Sequence, residues 1–277
     1  MPRAWTTAQP QPCSKKSEDP VTVLATGFGF LEKYPKNSSW EVASTLPALL
    51  PSTPDHPTPV HIHVHHEPIR VAYYSVLDLV PRLLSPQNPM TPTPDIILHI
   101  GLAAGRDFFT LEQGAHRRGY GEIPDVDGEK FVDEVADERF PPAIYPPLLQ
   151  TCFDTETALK RWKDNLGYSA FSSRPEEGKP DVRLSPDAGN FLCGFIYYNS
   201  LAHYYTLNEN ERPVAFLHVP DLSDGKGKLD VGRRVAIGLI RALVVAKKER
   251  GIGNRVTKVA RVGDSKSLVA ETDVNFT

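Results

Sequence analysis

Apolar and polar positions along this chain follow two rhythms, and the changes of rhythm mark its elements. Val21-Thr-Val-Leu-Ala-Thr-Gly27 is a short apolar run stopped by glycine, which predicts a strand. Asn37-Ser-Ser-Trp-Glu-Val-Ala opens a helix, with Ser38 or Ser39 as candidate N-cap. Val60-His-Ile-His-Val-His-His-Glu67 alternates as a strand does. From Tyr73 to Leu84 the period is helical, carried by Val76, Leu77, Leu79, Val80, Leu83 and Leu84. Asp95-Ile-Ile-Leu-His-Ile-Gly101 reads as a buried strand. A helix is predicted near Glu156 to Asn165, and another from the apolar segment that begins at Cys193. The strand Val214 to Val219 follows. The last helix spans Val231 to Arg250, with Val231, Val235, Leu239, Ala242 and Leu243 on one stripe.

Between these elements lie proline-rich loops at Pro51 to Pro59 and Pro86 to Pro94. Residues 124 to about 184 are rich in Pro, Asp and Glu, and predict an irregular insertion around the one helix. Residues 1–20, rich in Pro, Gln, Ser and Thr, read as a disordered tail. The chain after Gly251 reads as a second tail, 251–277, with a short apolar clip at Val256 to Val262. Strands alternating with helices over 21–250 predict a single α/β domain in layers, without internal repeats.

Composition narrows the classes. The chain has 277 residues, 40% hydrophobic and 23% charged, enough for a large core. Its formal net charge of −3 argues against nucleic acid as a main partner. Arg241 interrupts the best membrane candidate, Val235 to Ala246, and the N-terminus lacks the apolar run of a signal peptide. Cys13, Cys152 and Cys193 are odd in number and lack metal-like spacing. Neither a disulfide framework nor a zinc site is expected, and a reducing compartment, the cytoplasm, is. His61, His63, His65 and His66 suggest a metal at first sight. However, alternation puts the odd-numbered histidines along one strand face, which closes a metal site poorly, so a solvated face is expected. Gly27-Phe-Gly29 lacks the third glycine of a dinucleotide fingerprint, and Gly101 to Arg106 lacks the Lys-Ser/Thr of a phosphate loop.

The candidate chemistry sits in Ser185-Pro-Asp-Ala-Gly-Asn-Phe-Leu-Cys193-Gly-Phe-Ile-Tyr-Tyr. It places a cysteine just after a glycine turn, where a helix begins. A helix start carries unpaired N–H groups and partial positive charge, both favouring a thiolate. Arg212-Pro-Val-Ala-Phe-Leu-His218-Val-Pro220 ends an apolar strand on a histidine, and Thr110-Leu-Glu112 offers a carboxylate to orient it. A cysteine, a histidine and an acid on separate segments point to nucleophilic catalysis on an acyl group. Each also has a plainer use: a buried small hydrophobe, a strand cap, and a surface ion pair or helix-start charge.

Seven motifs occur in the order found in the pyroglutamyl peptidase I family. They are Thr26-Gly-Phe-Gly-Phe30, Asn37-Ser-Ser-Trp40, Gly101-Leu-Ala-Ala-Gly-Arg106, Thr110-Leu-Glu112, Ala115-His116 with Gly119-Tyr120, Asp187-Ala-Gly-Asn-Phe-Leu-Cys193, and Ala215-Phe-Leu-His-Val-Pro220. The resemblance covers about residues 21 to 245 and is weakest at 124 to 184. It implies a three-layer α/β/α sandwich with a central twisted mixed sheet. It implies Cys193 as nucleophile, His218 as general base and acid, and Glu112 as the residue orienting the imidazole. Phe28, Leu31, Asn37, Ile123, Phe191 and Leu192 fall at positions that form or shape the substrate slot. The implied activity is removal of N-terminal pyroglutamate from peptides through a thioester, with no metal or organic cofactor.

The chain departs from that family in two places: bacterial members carry an arginine where this chain has Glu122 and a glutamine near Leu102, and the loop after Thr26 is altered. Where the family usually reads Thr-Gly-Phe-x-Pro-Phe-Gly, this chain has Phe30 for the proline and Leu31 for the second phenylalanine. Either Phe30 fills the slot by a shift of register, or the slot is wider. A shifted substrate on the same chemistry, and a silent binding protein on the same fold, are therefore the alternatives.

Overall fold

The alternation of buried and exposed positions becomes a layered sheet in the computed structural model, which describes residues 19–31, 34–85, 94–169 and 177–252. The two expected tails fall almost wholly outside the described residues, as do the clip at Val256 to Val262 and most of the loop after Pro86. In chain order the elements are β1 (Val21–Gly27), α1 (Ser38–Ser44), β2 (Leu49–Leu50), β3 (Val60–Val64), α2 (Tyr73–Leu84), β4 (Ile96–Leu102), β5 (Phe109–Glu112) and β6 (Gly114–His116). They continue with α3 (Asp133–Arg139), β7 (Leu148–Gln150), α4 (Thr155–Asn165), β8 (Val182–Ser185), α5 (Leu192–Leu207), β9 (Val214–Val219) and α6 (Lys226–Ile252).

The main sheet has the order β2-β3-β1-β4-β9-β5-β8. It is mixed. Strands β3, β1, β4 and β9 run parallel, β5 turns antiparallel to β9, and β8 runs parallel to β5. Because side chains alternate along a strand, the sheet feeds two cores. On one face, Ile96, Leu98 and Ile100, with Phe109, Leu111, Ala215 and Leu217, pack under α1, α4 and α6. On the other, Ile97, Val214 and Phe216 pack under α2 and α5. Helix α5 is buried from Gly194 to Ala202 without a polar face, as expected for a helix enclosed in the second core. The α/β/α sandwich with a mixed sheet is thus the observed fold.

Local differences have physical reasons. Asn37, not Ser38 or Ser39, caps α1: its Oδ1 accepts from Ser39 N at 3.1 Å. The second serine instead turns its hydroxyl onto the same Asn37 oxygen at 2.7 Å. The segment 124 to 184 carries α3, α4, β7 and β8, more order than its composition suggests. Strand β8 has four residues and exists by pairing with β5, a long-range contact that no local pattern announces. Helix α4 docks on α6 through Trp162, which is fully buried and donates from Nε1 to the Val235 carbonyl at 2.9 Å.

Candidate active site

Strand parity decides which residues can meet. In β9 the even positions Val214 and Phe216 face α5, so His218 does as well. In β5 the residues Phe109 and Leu111 face the opposite core, which turns Thr110 and Glu112 toward α5. Gly101 pairs with His218 across β4 and β9, and Thr110 pairs with the same histidine across β5 and β9. One end of the sheet therefore gathers Gly101, Glu112 and His218 under the start of α5.

The geometry is close. His218 Nδ1 donates to Glu112 Oε1 at 2.7 Å. The same oxygen accepts from Thr110 Oγ1 at 2.6 Å and Arg106 Nη1 at 3.0 Å, while Oε2 is buried without a partner among the described residues. The Cys193 sulfur lies over Gly101, the strand partner of His218. Glu112 is fully buried, so the plainer reading of it as a surface charge is excluded. Burial favours its neutral form, yet the hydrogen bond and charge of His218, with hydrogen bonds from Ser185 and Thr110, together outweigh burial and hold its pKa below the ordinary value. Burial likewise works against the His218 cation. The Cys193 charge and hydrogen bond, then those of Glu112, overcome it and raise the imidazole to about 9. His99 shows what burial does alone. It lies fully buried between Thr26 Oγ1 at 2.7 Å and Ser200 Oγ at 2.9 Å, with no charged partner, and falls to about 3.

Cys193 lies in the first turn of α5, half-buried. The chain reaches it through a tight turn in which Gly189 takes φ +80° and its N–H binds Asp187 Oδ1 at 2.9 Å. Two glycines let the parts close up. A Cβ on Gly101 would come within 2.7 Å of the Cys193 sulfur. A Cβ on Gly194 would overlap the Gly189 carbonyl oxygen, a backbone atom that has no way to swing aside. Gly194→Ala is therefore expected to push the turn off the helix start. The measurable result is slower iodoacetamide labelling of Cys193, together with a stability loss of about 1–3 kcal/mol in denaturant melts.

The expected slot residues fall into two groups. Phe28, Phe191 and Leu192 are buried in the second core, with Leu31, Ile123 and Cys193 half-buried against it. Tyr73 joins them: its ring meets Phe191 edge-on at 6.1 Å and its hydroxyl donates to the Ile123 carbonyl at 3.1 Å. Asn37 stands apart from this cluster and works on the loop, donating from Nδ2 to the Gly29 carbonyl at 2.9 Å. Sequence reading missed Arg106, Thr110, Gly101 and Tyr73 as neighbours of the site. Only Thr110 left a signal, since residues two apart on a strand share a face.

Comparison with known proteins gives the family. The family profile for pyroglutamyl peptidase matches residues 21–150. Pyrrolidone-carboxylate peptidase of Deinococcus radiodurans is 30% identical over 206 residues, covering 72% of this chain and 78% of that one. The chain belongs to the pyroglutamyl peptidase family. Mouse pyroglutamyl-peptidase 1 is 27% identical over 236 residues, covering 83% of this chain and 93% of the mouse protein. The crystal structure of pyroglutamyl peptidase I from Bacillus amyloliquefaciens superposes with a TM-score of 0.59 at 25% identity, covering 82% of this chain and 95% of that one. A mutant pyrrolidone carboxyl peptidase from Pyrococcus furiosus shares the fold at a TM-score of 0.61, with 22% identity over 82% of this chain and all of its own, 100%. In the loop after β1, Phe30 is 61% exposed, while Leu31 packs half-buried against the second core.

Proposed function

We propose that this chain is a cysteine omega-peptidase that releases pyroglutamate from the N-terminus of peptides. The observation that carries the reading is the 2.7 Å hydrogen bond from the His218 imidazole to the buried Glu112 carboxylate, with the Cys193 sulfur over Gly101, the strand partner of His218. The Cys193 thiolate attacks the carbonyl carbon of the pyroglutamyl residue, and the new oxyanion faces the free N–H groups of the first turn of α5. His218 gives its proton to the departing amine, leaving a thioester. Water then attacks the thioester as His218 takes its proton, and pyroglutamate leaves with the thiolate restored. Glu112 orients the imidazole throughout.

The substrate class follows from what the slot offers. A lactam ring carries no ammonium, so it needs flat apolar walls rather than a carboxylate anchor. Phe28, Phe191, Leu192, Ile123 and Leu31 supply such walls, and Asn37 holds the loop that bears Phe28 and Leu31. The odd count of three cysteines, without metal-like spacing, supports a cytoplasmic setting. Among the described residues no helix is long and apolar enough to cross a membrane. The test is hydrolysis of a fluorogenic pyroglutamyl amide beside prolyl and free-amine amides. Preference for the pyroglutamyl compound supports the proposal. Faster cleavage of a prolyl or free-amine compound points to a substrate shifted by Leu31, and no cleavage by folded protein points to a binding role.

A further inference from the structure

We propose that Arg106 is a positioning residue: its guanidinium fixes the Glu112 carboxylate and keeps it ionised while His218 gives up and regains its proton. This rests on the catalytic reading above. Glu112 is fully buried, and burial by itself drives a carboxylate to the neutral form. In the resting site the imidazolium opposes that. During turnover the imidazolium charge disappears each time the proton goes to the leaving amine. Thr110 then offers only a neutral hydroxyl. Arg106 stays charged, 3.0 Å from Glu112 Oε1 and 2.8 Å from Thr110 Oγ1, with its side chain only 14% exposed.

The surroundings leave this task to Arg106. The groups facing the Glu112–His218 pair are Cys193 and Tyr197 from α5, Arg106 and Thr110 around β5, and Ser185 from β8. Tyr197 donates to the Glu112 backbone carbonyl at 3.1 Å and stays neutral, its pKa raised by burial. Ser185 turns its hydroxyl to the Asp187 carbonyl at 3.1 Å and, like Thr110, gives the Glu112 carboxylate only the support of a neutral hydroxyl. Asp187 pairs with His116 at 3.6 Å, and its own ionisation is favoured first by His116, with a smaller contribution from the Arg106 charge. Arg106 is the one permanently charged cation in contact with the carboxylate among the described residues. Its charge also acts on Asp187, in the turn before the nucleophile.

The test compares Arg106→Gln and Arg106→Met with Arg106→Lys across pH 5 to 10. Two rates are read: iodoacetamide labelling of Cys193, followed by mass spectrometry, and hydrolysis of the pyroglutamyl amide. Removing a fixed positive charge makes every proton in the site harder to release. Both neutral variants are therefore expected to move the acid and alkaline limbs to higher pH by about one pH unit and to lower kcat roughly tenfold. Arg106→Lys restores the limb positions while recovering only part of kcat, because a flexible ammonium stem holds its charge on Glu112 and Thr110 less rigidly than the planar guanidinium. Methionine keeps the apolar stem beside Phe108, so that a folded neutral variant is available. Limbs that stay in place in a folded neutral variant overturn the proposal, as does a lysine variant that titrates like the glutamine one. The labelling profile needs no peptide, so this outcome is separate from a failure to cleave pyroglutamyl amides.

Discussion

Replacing Cys193 by alanine is expected to lower kcat for a pyroglutamyl amide by at least about 10⁴-fold while leaving the fold in place. The expectation has two physical parts. Without the sulfur, no nucleophile stands over Gly101 beside His218, and the remaining N–H groups only polarise a carbonyl that nothing attacks. The side chain is also half-buried at a helix start rather than central to the core, so its loss removes little packing. Stability should stay within about 1 kcal/mol of the native chain. Paired measurements decide the matter: fluorophore release under substrate excess, and a thermal melt of the same sample. Release that survives the substitution would remove Cys193 from the chemistry.

Glu112→Gln should act through protonation as well as rate. The imidazole of His218 has its pKa raised from 6.5 to about 9, so its cation contributes stability in full below about pH 6.5, and that contribution is lost as pH rises through about 9. Taking away the Glu112 charge removes part of what opposes burial. The alkaline limb of kcat/KM should therefore move toward lower pH by at least about one pH unit, with kcat down roughly 10²-fold. This is the opposite direction to that expected for neutral substitutions at Arg106, so the two variants together separate acid from cation. Glu112 itself has a depressed pKa; its contribution is present above about pH 4.5 and lost as pH falls below that. Its amide replacement leaves Arg106 and His218 facing an uncharged group in a dry site. A stability loss of about 3 kcal/mol at neutral pH is expected in urea melts. An unmoved alkaline limb would mean that the carboxylate does not set the imidazole's charge.

The two sides of the site were unequally legible. His218 could be placed from the run Val214 to Val219 because a strand's parity and its end are local properties. Cys193 at a helix start was equally readable, from the glycine turn ahead of an apolar run. Leu31 in place of an aromatic was visible too, but the fate of Phe30 was not. Whether that ring turns inward depends on the Asn37 and Ile69 contacts that pin Gly29, and Ile69 lies far enough along the chain to escape any local window. The segment 124 to 184 misled for a similar reason. Its acids describe the surface of α3 and α4 and its prolines the connections outside them, while Trp162 and β8 are held by partners elsewhere in the chain.

By itself the sequence determined the alternation of strands and helices, the turn before the nucleophile, and the three chemical groups, since each is written in neighbours a few residues apart. The tertiary structure alone decided that β5 runs against β9, which brings Glu112 to the same end of the sheet as His218. It also decided that Arg106 and Thr110 converge on one carboxylate oxygen. Those relations join residues through sheet register and burial. The free energy that sets them comes from closing two cores at once, which no local stretch of chain encodes.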